Sequence, residues 1–159
     1  MKTIFPLILT LSLILSSSKT PTDFKVIDIV NLQKVPIVKG SLNGKMAYFV
    51  LDTGAEFTVL HSDDASGYGF RTAGIFNDQV ITGIGGNGAK VQKAFKANFK
   101  LEDVQMETAM YVTDISDIKQ LAQKITGLRV TGIIGIDLIV KYAFEIDYGR
   151  KKLKFKTMR

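Results

Sequence analysis

The sequence predicts an all-β domain with one or two short helices, and three observations carry that expectation. Short apolar stretches with strand alternation recur at close intervals, with turn residues between them. An Asn-Gly pair joins two of these stretches, and only one longer stretch follows helical spacing. The chain has 159 residues, which suits one domain with a sizeable core and leaves no room for two lobes. Hydrophobic residues make up 46% and charged residues 23%, ordinary globular usage that argues against a disordered chain or a coiled coil.

Taken in order, the N-terminus reads as an address. Lys2 precedes an apolar run from Ile4 to Leu15, followed by Ser16, Ser17 and Ser18, the pattern of a secretory signal cleaved after Ser18. A spanning helix needs about 20 apolar residues. This run is shorter and is interrupted by Pro6, Thr10 and Ser12, so a membrane anchor is the lesser expectation and applies only if the segment stays uncleaved. The expected location is therefore periplasmic or secreted. Residues 1–18 are assigned to the signal peptide, 19–24 to a linker containing Pro21, and 25–159 to the folded domain.

Ile37 to Leu42 and Met46 to Leu51 form a hairpin through Asn43-Gly44, residues that accept the left-handed conformations of a tight turn. Phe49, Val50 and Leu51 are apolar in succession, as in a strand buried on both faces, and the strand ends on Asp52. Ala89 to Leu101 approximates alternation, and Gln105 to Val112 is a further strand candidate. Ile115, Ile118, Leu121, Ala122 and Ile125 follow helical spacing, with Asp114 or Ser116 as N-cap and Gly127 as terminator. Ile136 to Tyr142 suggests a second short helix. A last hairpin pairs Phe144 to Asp147 with Leu153 to Phe155, turning at Tyr148-Gly149-Arg150.

Several chemistries are excluded at once. With no cysteine there is no disulfide framework, thiol nucleophile or lipid attachment through cysteine, and a single histidine argues against a histidine-rich metal site. No metal and no cofactor are expected. His61 reads as a strand-end hydrogen-bonding residue. The formal charge of +6 attracts anionic surfaces without naming one, and no aromatic-basic interleaving points to nucleic acid. In Arg150 to Lys156 the alternation puts Leu153 and Phe155 inward and leaves lysines on a solvated edge.

Asp52-Thr53-Gly54 combines a carboxylate, a small hydroxyl able to lock a turn, and a glycine that permits close backbone approach. The triplet also occurs as an ordinary exposed turn. Its setting is Phe49-Val-Leu-Asp-Thr-Gly-Ala-Glu-Phe-Thr-Val-Leu60, and here the chain resembles the retropepsin-like aspartic proteases, whose retroviral members carry much the same Asp-Thr-Gly-Ala-x-x-Thr-Val-Leu run. Two further segments match in order. Val80-Ile-Thr-Gly-Ile-Gly-Gly86 with Ala89-Lys90-Val91 looks like the glycine-rich flap, and Thr131-Gly-Ile-Ile-Gly-Ile-Asp-Leu138 is similar to the family's late strand and short helix.

The resemblance spans Ile37 to Phe155 and implies a closed-barrel-like retropepsin fold. It also implies an aspartic endopeptidase, in which two carboxylates share one proton and activate water. The chain holds only one Asp-Thr-Gly, so the second carboxylate has to come from another copy across a two-fold axis. By the same resemblance Asp52, Thr53 and Gly54 are the catalytic residues, Thr53 locking the two loops together. Ala55, Gly83, Ile84, Gly85 and Gly86 contact substrate, with Ile84 offering its N–H through water. Peptide or protein substrate and a homodimeric partner follow.

The chain also departs from the family. Ile136 stands where retroviral enzymes usually have arginine, which leaves Glu56 without its expected partner, and Asp137 reads as a helix-capping carboxylate. Asn87-Gly88 is more polar than the usual flap tip, and Gly69 to Phe76 has no assignable counterpart. In retroviral enzymes the termini build the dimer sheet, and the cationic tail here would repel its own copy, implying a different or weaker interface. The alternative is a non-catalytic module of the same fold binding extended peptides. A third reading is a basic adhesin for anionic lipid or polymer, with salt-sensitive binding indifferent to Asp52.

Overall fold

The computed structural model describes residues 23–31, 35–74 and 91–157. Twelve strands and three short helices follow one another as β1 (Phe24–Asn31), β2 (Ile37–Leu42), β3 (Lys45–Leu51), β4 (Val59–His61), α1 (Ala65–Tyr68), β5 (Arg71–Ala73), β6 (Gln92–Phe95), β7 (Phe99–Leu101), β8 (Val104–Gln105), β9 (Tyr111–Thr113), α2 (Ser116–Thr126), β10 (Val130–Ile134), α3 (Ile136–Lys141), β11 (Glu145–Asp147) and β12 (Lys152–Lys156). The strands share one sheet in the order β11-β12-β1-β2-β3-β10-β4-β9-β6-β5, with β7 pairing with β2 and β8 with β7. Among the described residues β11 and β5 do not pair, so the sheet stays open where a closed barrel was expected. β1 begins at Phe24, inside the span read as linker.

Side-chain alternation sorts the core into two faces. Phe49, Leu51, Leu60, Val112 and Ile134 enter one buried cluster, while Val50, Val59, Ile133 and Val130 enter the other. The central strands are covered on both sides, which explains the unbroken apolar run of β3. The β2–β3 hairpin pairs Leu42 with Lys45 across Asn43 and Gly44, whose φ of 51° and 78° match the two-residue turn that right-twisted strands favour. Asn43 also ties the turn to distant chain, its Nδ2 donating to Lys96 O at 2.8 Å and to Tyr68 O at 2.9 Å.

β10 runs parallel to β3, with Ile134 opposite Leu51, and antiparallel to β4. This places the start of α3 against the loop that leaves β3. β1 pairs with β12 over Phe24 to Asp28 and then with β2 at Ile29 and Asn31, between which the β1–β2 register shifts. β12 therefore lies between β1 and β11, and both edges of the cationic C-terminal strand are used within the chain.

Three elements differ from the sequence expectation. The stretch from Ala89 to Leu101 is broken into β6 and β7, with Lys96 at a left-handed φ of 54° between them. The strand expected over Gln105 to Val112 is confined to β8 and β9. α1 is an additional short helix that ends on Gly69 in the left-handed region. α2 stops at Gly127 as expected, and the Asp114 carboxylate accepts from the Ser116 hydroxyl at 2.6 Å and its N–H at 2.9 Å, which holds that carboxyl below the usual carboxylate range. Leu121, on the helical apolar spacing, is nonetheless 51% exposed.

Candidate active site

β3 carries Asp52 out of the core, and the next six residues form a loop fastened to β10 and α3 along its length. The Asp52 N–H donates to Ile134 O at 3.0 Å, and the Ala55 N–H returns to Asp52 O at 3.2 Å. Ala55 O accepts from the Ile136 N–H at 2.8 Å. At the far end of the loop the Thr58 hydroxyl accepts from the Gly135 N–H at 3.2 Å and donates to Asp137 Oδ1 at 2.8 Å. The loop and the β10–α3 junction are thus joined at both ends and in the middle, the kind of redundancy that fixes a side chain on a loop.

Gly135 is the residue that permits this approach. A Cβ there would lie 2.5 Å from the Phe57 carbonyl carbon and 2.8 Å from Ala55 O, both backbone atoms. The Asp52 carboxylate is half-buried, and its Oδ1 accepts the Gly54 N–H at 2.8 Å. Thr53 and Gly54 are exposed beside it. The result is a carboxylate held from below, with exposed chain beside it at Thr53 and Gly54.

Asp52, Thr53 and Gly54 are therefore together at one exposed turn. The Ala55 side chain is 1% exposed and packs into the core, so it holds the loop from within. Gly83, Ile84, Gly85 and Gly86, like the whole glycine-rich segment over 80–90, lie outside the described residues.

The expectation that Asp137 caps a helix is corrected: the N-cap of α3 is Gly135, with no side-chain capping bond, and both Asp137 oxygens go to hydroxyls instead, Oδ1 to Thr58 and Oδ2 to Thr108 at 2.8 Å. Its carboxylate is therefore engaged by Thr58 and Thr108. Thr58 was visible within the quoted Thr-Val-Leu run, but Thr108 carries no sequence signal, being brought in by the non-local packing of the β8–β9 connection. His61 is 3% exposed and its Nδ1 accepts the Ile115 N–H at 3.3 Å, the hydrogen-bonding role read from its position. Among the described residues no group of three or more His, Asp or Glu is placed to hold a metal ion.

The model of a family described as aspartyl protease matches residues 38–138, from β2 into α3, and so includes the whole loop and its fastening. The chain belongs to the aspartyl protease family. Among solved structures it is similar to a retropepsin-like aspartic protease from Rickettsia conorii, with a TM-score of 0.56 and 18% identity, covering 87% of this chain and 96% of that one. That likeness is one of fold, and the fold of this aspartyl protease-family chain is retropepsin-like. It is also similar to EIAV protease complexed with the inhibitor HBY-793, with 23% identity, 70% of this chain and 90% of that one covered, and a TM-score of 0.44. The retroviral protease-like domain of Ddi1 from Leishmania major matches at 15% identity over 77% of this chain and 93% of that one, with a TM-score of 0.47. No curated protein matches the chain in sequence.

Proposed function

We propose that this aspartyl protease-family chain is an exported aspartic endopeptidase, active as a homodimer, that hydrolyses peptide bonds with water held between two Asp52 carboxylates. The observation that carries the reading is the fastened turn: one carboxylate at the end of a doubly buried strand, locked from below, with Thr53 and Gly54 exposed beside it.

Two carboxylates side by side repel when both are charged, so in this reading the pair shares one proton. The ionised member takes a proton from water while the protonated member hydrogen-bonds the scissile carbonyl, and the proton then passes to the leaving amine. Asp137 is a poor candidate for the second carboxylate, since both its oxygens already accept from threonines. A second copy is the remaining source, with Thr53 hydroxyls locking the two turns and Gly54 backbone lining the groove. Ile84 and the neighbouring glycines would close over the peptide.

β12 has neighbours from its own chain on both edges, which favours an interface built otherwise than on a shared C-terminal sheet. The apolar Ile4 to Leu15 run followed by serines supports export of the domain to the periplasm or medium.

Dilution tests the dimer. Hydrolysis per chain is expected to fall as the protein is diluted through its dissociation range, and a transition-state analogue of aspartic proteolysis is expected to shift sedimentation from monomer to dimer. Undiminished hydrolysis per chain at concentrations where the protein sediments as a monomer would contradict the reading. Peptide binding with no cleavage at any concentration would favour a binding module.

A further inference from the structure

Asp137 takes no part in the reaction just described, yet its half-buried carboxylate connects three elements. It belongs to the first turn of α3, receives Thr58 from the far end of the Asp52 loop, and receives Thr108 from the connection before β9. Among the described residues it belongs to none of the ion pairs. An ionised carboxylate can only accept, so both threonine hydroxyls must donate to it. That fixes the direction of a short chain: Gly135 N–H to Thr58 Oγ1, and Thr58 O–H to Asp137 Oδ1. With its proton turned toward Asp137, Thr58 presents a lone pair to the Gly135 N–H, and the loop that begins at Asp52 is closed at its other end.

We propose that Asp137 is a positioning residue for Asp52, acting through Thr58 and Gly135, a role that rests on the peptidase reading above. The accepting oxygen that position 137 turns toward Thr58 sets the polarity of the chain and so the seat of the loop. Loss of the carboxylate leaves Thr58 Oγ1 free to rotate, loosens the Gly135 bond and lets the loop shift against β10. A displacement of about 1 Å in a catalytic group is enough for a loss of roughly 10²-fold in rate. Substrate binding along the rest of the groove would be little changed. Asparagine at this position can keep the polarity, its carbonyl facing Thr58 and its amide nitrogen donating to Thr108.

The test compares wild type, Asp137→Ala and Asp137→Asn in the full chain, by peptide hydrolysis and by amide hydrogen exchange. Asp137→Ala is expected to lower kcat roughly 10²-fold with KM changed by less than about threefold, and to speed exchange at the Gly135 N–H while the β2–β3 hairpin keeps its rate. Asp137→Asn is expected to restore most of kcat and the slow exchange at Gly135. Thr108→Val, which removes one donor from outside the loop, gives the same pattern at smaller size and serves if Asp137→Ala does not fold. The proposal is overturned if Gly135 exchange is unchanged in the alanine variant, if exchange rises everywhere alike, or if asparagine rescues nothing. Should wild type itself cleave no peptide, the peptidase reading falls, and the Gly135 exchange still decides whether Asp137 seats the loop.

Discussion

Asp52→Asn is expected to abolish peptide hydrolysis while the chain still folds and associates. Asparagine keeps an oxygen to accept the Gly54 N–H, so the turn retains its internal bond. What it removes is the ability of the pair to take a proton from water and give one to the leaving amine. Acid–base participation of this kind is worth about 10²–10⁴-fold in rate, and one asparagine per subunit removes both partners of a symmetric pair. The measurement is hydrolysis of an unstructured protein substrate by wild type and variant, with sedimentation and thermal melting run alongside. Cleavage by the variant at the wild-type rate would mean the chemistry lies elsewhere.

A large effect on stability is expected at Gly135. Its φ of −90° and ψ of −179° are open to any residue, so the argument for glycine is purely one of space. The added methyl of Gly135→Ala would fall 2.6 Å from Phe57 O and 2.8 Å from Ala55 O, backbone atoms that cannot swing aside as a side chain would. Overpacking typically costs about 1–3 kcal/mol, and rigid backbone on the receiving side puts this case at the upper end. The displaced atoms belong to the loop that holds Asp52, so hydrolysis should fall further than the lost stability explains. Gly67→Ala is the control, because a methyl there meets nothing within 4 Å. Urea unfolding of the two variants decides the matter: equal midpoints would mean that the β10–α3 junction yields freely.

The parts of this fold that were legible in the sequence are those set by local chemistry. Asn43-Gly44 announced its turn because two successive positive φ values demand such residues, and Gly127 announced the end of α2 for the same reason. Asp-Thr-Gly between two apolar strands marked the turn that leaves β3. The illegible parts depend on distant chain. The break at Lys96 is accompanied by contacts with Asn43, whose Nδ2 reaches Lys96 O and whose Oδ1 takes the Asn98 N–H at 2.8 Å, a partnership no local pattern shows. The parallel pairings of β3 with β10 and β4 with β9 join segments far apart in sequence, and with them came the true role of Asp137. An acidic residue in the first turn of a helix reads as a cap; only the packing of Thr58 and Thr108 around it reveals a clamp.

The central claim is that two chains each contribute half of one acid pair, and mixing tests it most directly. Inactive Asp52→Asn chains are added in equal amount to a fixed amount of wild type under conditions of subunit exchange. If a mixed pair is inactive, hydrolysis falls to about half, because random pairing leaves one pair in about four with both carboxylates. A rate that stays at the wild-type value, whatever the excess of Asp52→Asn, would show that a single chain carries the reaction alone.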